Sequence, residues 1–305
     1  MKIIILALIF TLNFTLYNCN LTQILLDTVK ASPAACSIHN ETGWLNLFSP
    51  DGYAEDPVGT ASHQGSNELI AFWNTFIADT DIKFFSHFDI VSEKNFEVVR
   101  YVNITATLKY KNNTISTNQP AIILYTLKLV DNIPKISSLQ AHWVLLDRIK
   151  EQYTQSGGVI SMLQMGRNLI KYMGISGVIG YAKGFMGVHY QGKSISELFF
   201  SRVNNKDEQW VEHFTESGVL QLIYVDKIVD INGKANIHQF YNDYIKNSQF
   251  TVKINSDEFF PSGYKVAGVI KVEANNVDHF SVFIFEFKEE LITRARIWSN
   301  TKSFK

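Results

Sequence analysis

Leu47-Phe48-Ser49-Pro50-Asp51-Gly52-Tyr53-Ala54-Glu55-Asp56-Pro57-Val58-Gly59-Thr60 places an acidic pair directly before a Pro-Val-Gly run. Pro50-Asp51-Gly52 reads as a turn, and Asp56-Pro57 has turn chemistry of its own. An aspartate set beside apolar residues is a candidate proton acceptor, because partial desolvation strengthens a carboxylate as a base. A few residues on, Gln64-Gly65 precedes Leu69, Ile70, Phe72, Trp73 and Phe76, the spacing of a helix with one apolar face.

The surroundings of this run recur later in the chain. Trp44-Leu45-Asn46-Leu47-Phe48 is matched by Trp210-Val211-Glu212-His213-Phe214, at an offset of 166 residues. Gln64-Gly65 is matched by Asn232-Gly233, which precedes Ile237, Phe240, Tyr241 and Tyr244, at an offset of 168. Leu139-Gln140-Ala141-His142-Trp143 and Arg294-Ala295-Arg296-Ile297-Trp298 close the two halves. Self-similarity at a nearly fixed period marks a repeated structural unit. Each half reads as helix, short helix, then strands, with alternation over residues 101–110, 121–130, 266–273 and 282–287. Asn112-Asn113 and Asp131-Asn132 read as hairpin turns.

That order implies an α+β protein: two cone-shaped domains, each a curved, antiparallel-rich sheet cupped over N-terminal helices. The units are expected at residues 21–146 and 205–305, joined by a Gly-rich helical connector over 147–204. A cone of this kind encloses an apolar cavity suited to a small hydrophobic ligand.

With 305 residues, 46% of them apolar, the chain has material for two cores. A net charge of −1 without a basic stripe gives no footprint for nucleic acid. No His pair has helical metal-ligand spacing, no Gly loop precedes a Lys-Ser or Lys-Thr pair, and no Gly-x-Ser-x-Gly elbow occurs. Neither a metal nor a cofactor is therefore expected. Lys2 followed by the apolar run from Ile3 to Phe10 reads as a secretory signal over residues 1–20, so the protein is expected to be secreted or in the secretory pathway. Asn20, Asn40, Asn103 and Asn112 then become glycosylation candidates. Loss of Cys19 with the signal leaves Cys36 as a lone thiol, with no disulfide framework.

In the connector, Arg167, Lys171 and Lys183 break the apolar run before it reaches membrane length. It reads as a bridge of two or three helices packed through small residues, with an amphipathic lid or a membrane-surface element as the alternative.

The run from Leu47 to Thr60, with Gly65 and Phe72 after it, resembles the region of ketosteroid isomerases that carries their general base. The resemblance extends to the wider SnoaL-like and nuclear-transport-factor-2-like (NTF2-like) superfamily, is most specific over the motif and is looser over residues 21–146. It implies that Asp56 is the base. The family's oxyanion tyrosine falls on Ser32, and no Tyr lies between Leu21 and Gly43. The family's oxyanion aspartate falls on Tyr125, or on Thr126 when counted from the end strand. The base is thus kept and both familiar donors are replaced, leaving Tyr125 as a hydrogen-bond donor if its strand points it inward. His63, Phe72, Trp73, Phe76 and Trp143 are expected to line the ligand pocket. In the second half Asp56 corresponds to Tyr224 or Leu222, and Asp278 is out of register with the family's acidic strand position. That half is expected to be a degenerate partner whose sheet pairs with the first within one chain.

The function that follows is cofactor-free proton transfer on an apolar carbonyl compound, in one cup within residues 21–146, with Asp56 as base and Tyr125 as donor. The alternative is a non-catalytic carrier of a small lipid-like ligand. A third reading is a structural protein whose cavity is filled by its own side chains.

Overall fold

A computed structural model describes residues 21–110, 113–274 and 277–300. The expected signal, with Cys19 and Asn20, and the candidate Asn112 lie outside the described residues.

The first half opens with helix α1 over residues 21–37 and α2, Glu41–Leu45. Asn40 caps α2, its side chain accepting the Gly43 N–H at 2.9 Å. Strands β1 (Phe48–Glu55) and β2 (His63–Gln64) precede α3, Gly65–Phe76. Leu69, Phe72, Trp73 and Phe76 stand at i, i+3, i+4 and i+7 on α3, so one face of the helix enters the core. Then come β3 (Asp81–Ser92), β4 (Glu97–Tyr110), β5 (Asn113–Val130) and β6 (Ile133–His142). The sheet order is β2-β1-β6-β5-β4-β3, with β1 parallel to β6 and the other neighbours antiparallel.

The second half repeats this plan. Strands β7 (Phe214–Ile223), β8 (Ile228–Asn232), β9 (Thr251–Ser262), β10 (Lys265–Ala274), β11 (Val277–Lys288) and β12 (Leu291–Ser299) take the order β8-β7-β12-β11-β10-β9. Here β7 is parallel to β12. Helix α7, Lys234–Phe240, follows Gly233 as α3 follows Gln64. The fold is α+β, with two separate six-stranded mixed sheets, each carrying its own helices: two cones of the expected kind.

Local chemistry explains the corners. Asp131 and Asn132 turn the β5–β6 hairpin at φ of 51° and 63°, a conformation that Asp and Asn tolerate better than most residues. Pro50-Asp51-Gly52 departs from the sequence expectation. It lies inside β1, where the pairing with β6 shifts register, so it forms a bulge rather than a turn.

Between the sheets run α4 (Leu145–Tyr153), α5 (Gly158–Ala182), kinked at Gly174 with φ 68°, and α6 (His189–Asn204). α6 fell within the expected connector, but its Phe199, Phe200 and Val203 are buried in the second half's core. α5 instead lies over the first half, with Met173 and Tyr181 packed against that core.

The two sheets meet face to face. Ile90, Val99, Ile122 and Leu124 of the first half form one buried cluster with Val269, Val282, Ile284 and Trp298 of the second. A polar knot sits at its edge: Arg296 donates twice to the buried Glu97, at 2.6 and 2.8 Å, and Trp298 donates to the same carboxylate at 3.1 Å.

Candidate functional site

In the first half the elements converge on the candidate base. Asp56 follows the end of β1, Tyr125 points inward from β5, and Trp143 follows β6. These three side chains line one cavity of 90 Å³ together with Phe72 and Phe76. The Trp143 indole donates to Asp56 Oδ1. Asp56 keeps part of its surface open, and it faces this cavity deep inside the protein. Burial pushes its carboxyl above the usual carboxylate range, while the Trp143 hydrogen bond and the Arg148 charge pull it back. Burial pushes the Tyr125 hydroxyl up to about 12, so it is a neutral donor at physiological pH.

Two of the expected pocket residues stand elsewhere. Trp73 is buried against Trp44, with ring centroids 5.5 Å apart, and does not line the cavity. His63 packs on the outer side of Phe72 at 5.3 Å, and burial holds its imidazole below the usual value. Ser32, the position of the missing tyrosine, does reach the site, and accepts the Trp44 indole N–H at 3.1 Å. Cys36 lines the same cavity, where burial and the Asp56 charge push its thiol up to about 12.

Sequence reading missed the residues that close this cavity. Arg148 of α4 and Met165 and Tyr181 of α5 line it. Arg148 sits over the Trp143 ring at 5.3 Å, and Tyr181 stacks on Phe76 at 5.7 Å. All three come from beyond the expected first domain, so no pattern within residues 21–146 points to them. With them in place the space around Asp56 is cut to 90 Å³, beside a separate cleft of 260 Å³ lined by Phe76, Leu108, Ile115 and Gln152.

The large cavity is in the second half, which corrects the expectation of one cup within residues 21–146. It measures 750 Å³ and lies between the sheet and the helices of that half. Phe200, Trp210, Leu220 and Ile270 form its buried floor. Leu222, Val229, Ile231, Phe240 and Ile297 form half-buried apolar walls. Lys227, Asn236, Gln239 and Asp243 make an exposed polar rim. Tyr224 and Leu222, the two counterparts of Asp56, both line the cup, so its wall carries no carboxylate at the base position. Asp278 is paired with Lys271 at 2.5 Å, outside the cup, and that lysine holds its carboxyl below the usual range. Among the described residues no group of three His, Cys, Asp or Glu side chains is placed to hold a metal ion.

No protein-family model and no curated protein matches this chain. Among solved structures it is similar to a Delta 5-3-ketosteroid isomerase from Mycobacterium sp., at 20% identity over 41% of this chain and 95% of that one, with a TM-score of 0.36. It is similar to a Mycobacterium tuberculosis protein in complex with estradiol-17beta-hemisuccinate, at 19% identity over 41% and 96%, with a TM-score of 0.36. A computationally designed 17-OHP binder stands at 19% identity over 41% and 95%, with the same TM-score of 0.36. The likeness is one of fold, to ketosteroid-isomerase-like and NTF2-like cones. Each of these three covers 41% of this chain, and the tandem is seen in the chain's own two sheets.

Proposed function

We propose that this protein binds a small lipid-like molecule in the second-half cup without turning it over. The observation that carries this reading is the contrast in volume, 750 Å³ with apolar walls against 90 Å³ around Asp56. Drug-sized ligands occupy clefts of about 300–1,000 Å³. Each methylene moved from water into such a cup contributes about 0.8 kcal/mol, so affinity rises with the apolar length of the ligand. The rim of Lys227, Asn236, Gln239 and Asp243 suits a molecule with one polar end left at the mouth. The signal-like run in residues 1–20 supports a ligand met in the secretory pathway or outside the cell.

The test is a fluorescence titration with cis-parinaric acid. Ile297→Trp, a substitution on the half-buried wall, puts a bulky ring into the cup and is expected to weaken binding by about tenfold or more, as lost apolar contact dictates. Asp56→Asn is expected to leave binding unchanged. Equal binding by the filled variant, with its melting temperature preserved, would place the ligand elsewhere.

Proton transfer at Asp56 is the second reading. It is supported by the raised carboxyl and by the neutral Tyr125 hydroxyl lining the same cavity. A substrate of steroid size needs more than 90 Å³, so this reading requires Tyr181 and Met165 to move out with α5. The absorbance of the conjugated enone formed from a 5-ene-3-ketosteroid decides it. A rate that collapses in Asp56→Asn would make the protein an isomerase.

A further inference from the structure

α5 and the turn after it present an apolar face with no cover among the described residues. Val159, Ile160, Leu163 and Ile170 are exposed on the first part of α5, with Leu163 at 69% and Ile170 at 59%. At 100° per residue these four fall on one side of the helix, and the exposed Arg167 and Lys171 fall on the same side. Past the Gly174 kink the pattern continues. Ile175 is 75% exposed, Val178 and Ile179 follow one turn on, and Phe185 and Met186 are exposed beyond them. Exposed apolar area this continuous marks a contact surface.

The charge pattern selects the partner. From Gln152 to Ser196 there is no Asp or Glu, while Arg167, Lys171, Lys183 and Lys193 fall within the stretch. The chain as a whole is close to neutral, at −1. A cationic, acid-free segment with exposed Ile, Leu, Val and Phe side chains has the chemistry of an interfacial helix, whose apolar side enters the headgroup region while its basic side chains stay with anionic lipids. No helix among the described residues is long and apolar enough to cross a membrane.

We infer that α5 and the segment through Met186 dock the protein on an anionic lipid surface. This goes beyond ligand binding in the cup and does not depend on it. The kink at Gly174 gives two short apolar faces rather than one long one. Arg167 and Lys171 flank Ile170 and Lys183 precedes Phe185, so basic side chains are spread along the docking surface.

The experiment is co-sedimentation of the full chain with phosphatidylcholine vesicles, with and without about 30% phosphatidylserine. The wild-type protein is expected to partition onto the anionic vesicles about a hundredfold more strongly, because each of Arg167, Lys171 and Lys183 near such a surface adds about fivefold. Raising the salt should reduce that preference as the Debye length shortens. Two double variants separate the contributions: Leu163→Glu with Ile170→Glu, and Arg167→Gln with Lys171→Gln. All four side chains are exposed, so the melting temperature should hold while partition falls about tenfold or more in each. Wild-type protein left in the supernatant with both vesicle types would overturn the inference, as would variants that sediment like wild type. A dimer in gel filtration that Leu163→Glu with Ile170→Glu splits would also overturn it, by assigning the face to a second copy of the chain. The cup ligand is read separately, since the parinaric acid titration uses no vesicles.

Discussion

Asp56 is an aspartate held where its charge is disfavoured, with one indole donor and a half-exposed guanidinium nearby as compensation. An amide in its place still accepts the Trp143 N–H and carries no charge. Asp56→Asn is therefore expected to raise the melting temperature at pH 7, and calorimetry of the two proteins checks it. Because its folded carboxyl titrates above its unfolded value, the stabilisation should shrink on acidification, as Asp56 takes up its proton. Glu97 is the opposite case. Its carboxylate is satisfied by Arg296 and Trp298 across the seam between halves. Glu97→Ala leaves the Arg296 guanidinium buried without its partner and is expected to cost about 3 kcal/mol or more in a denaturant titration. The sequence singled out Asp56 because Asp-Pro-Val-Gly is a local string. It gave no hint of Glu97, whose partner stands some two hundred residues away.

At the level of elements, one corner of the joint between the halves is a close backbone contact. Gly59, at the end of the Asp-Pro-Val-Gly run, meets Gly263 in the β9–β10 turn so closely that a Cβ on Gly263 would sit 2.6 Å from Gly59 Cα. Ser262 Oγ donates to the Val58 carbonyl and the Val188 N–H donates to the Gly263 carbonyl at 3.0 Å, fixing the same corner. Gly263 also has φ of +57°. Gly263→Ala is thus expected to cost about 3 kcal/mol, a left-handed penalty plus a backbone clash. Gly174→Ala is the control: φ is +68° there too, but nothing lies within 4 Å of the added methyl. With ψ of −170° that position suits essentially only glycine, so the change should cost about 2 kcal/mol, the conformational part alone. Part of a motif that reads as catalytic therefore has a structural duty here.

At the scale of the whole molecule, the buried seam makes the two cones one folding unit. His142 ends β6 with no exposed surface, no hydrogen-bond partner on either ring nitrogen, and the charge of Lys265 from the second half nearby. Burial first, and that lysine second, push its imidazole down to about 3. The folded value lies below the unfolded one of about 6.5, so protonation favours the unfolded chain. The stability tied to neutral His142 is complete above pH of about 6.5 and falls as the pH drops towards about 3, by about 2 kcal/mol at pH 5. Urea midpoints between pH 7.5 and 5 should show this loss in the wild type and a smaller one in His142→Gln. A single transition by tryptophan fluorescence, moved as a whole by Glu97→Ala, is the expected sign of one cooperative unit.

The repeated α+β unit is legible from residue to residue along the chain. Strand alternation, the apolar face of α3, the Asp131-Asn132 turn and the Trp44 and Trp210 landmarks are all local properties of a few residues each. The sequence also brought Asp56, Tyr125, Phe72, Phe76 and Trp143 to one cavity, because strand parity and helical spacing fix which side chains share a face. Which cone is open was decided only by tertiary structure. A cavity is the difference between what its walls enclose and what distant segments put into it. Arg148, Met165 and Tyr181 close the space around Asp56 from helices that no alternation or offset ties to it, and the second cone keeps its 750 Å³.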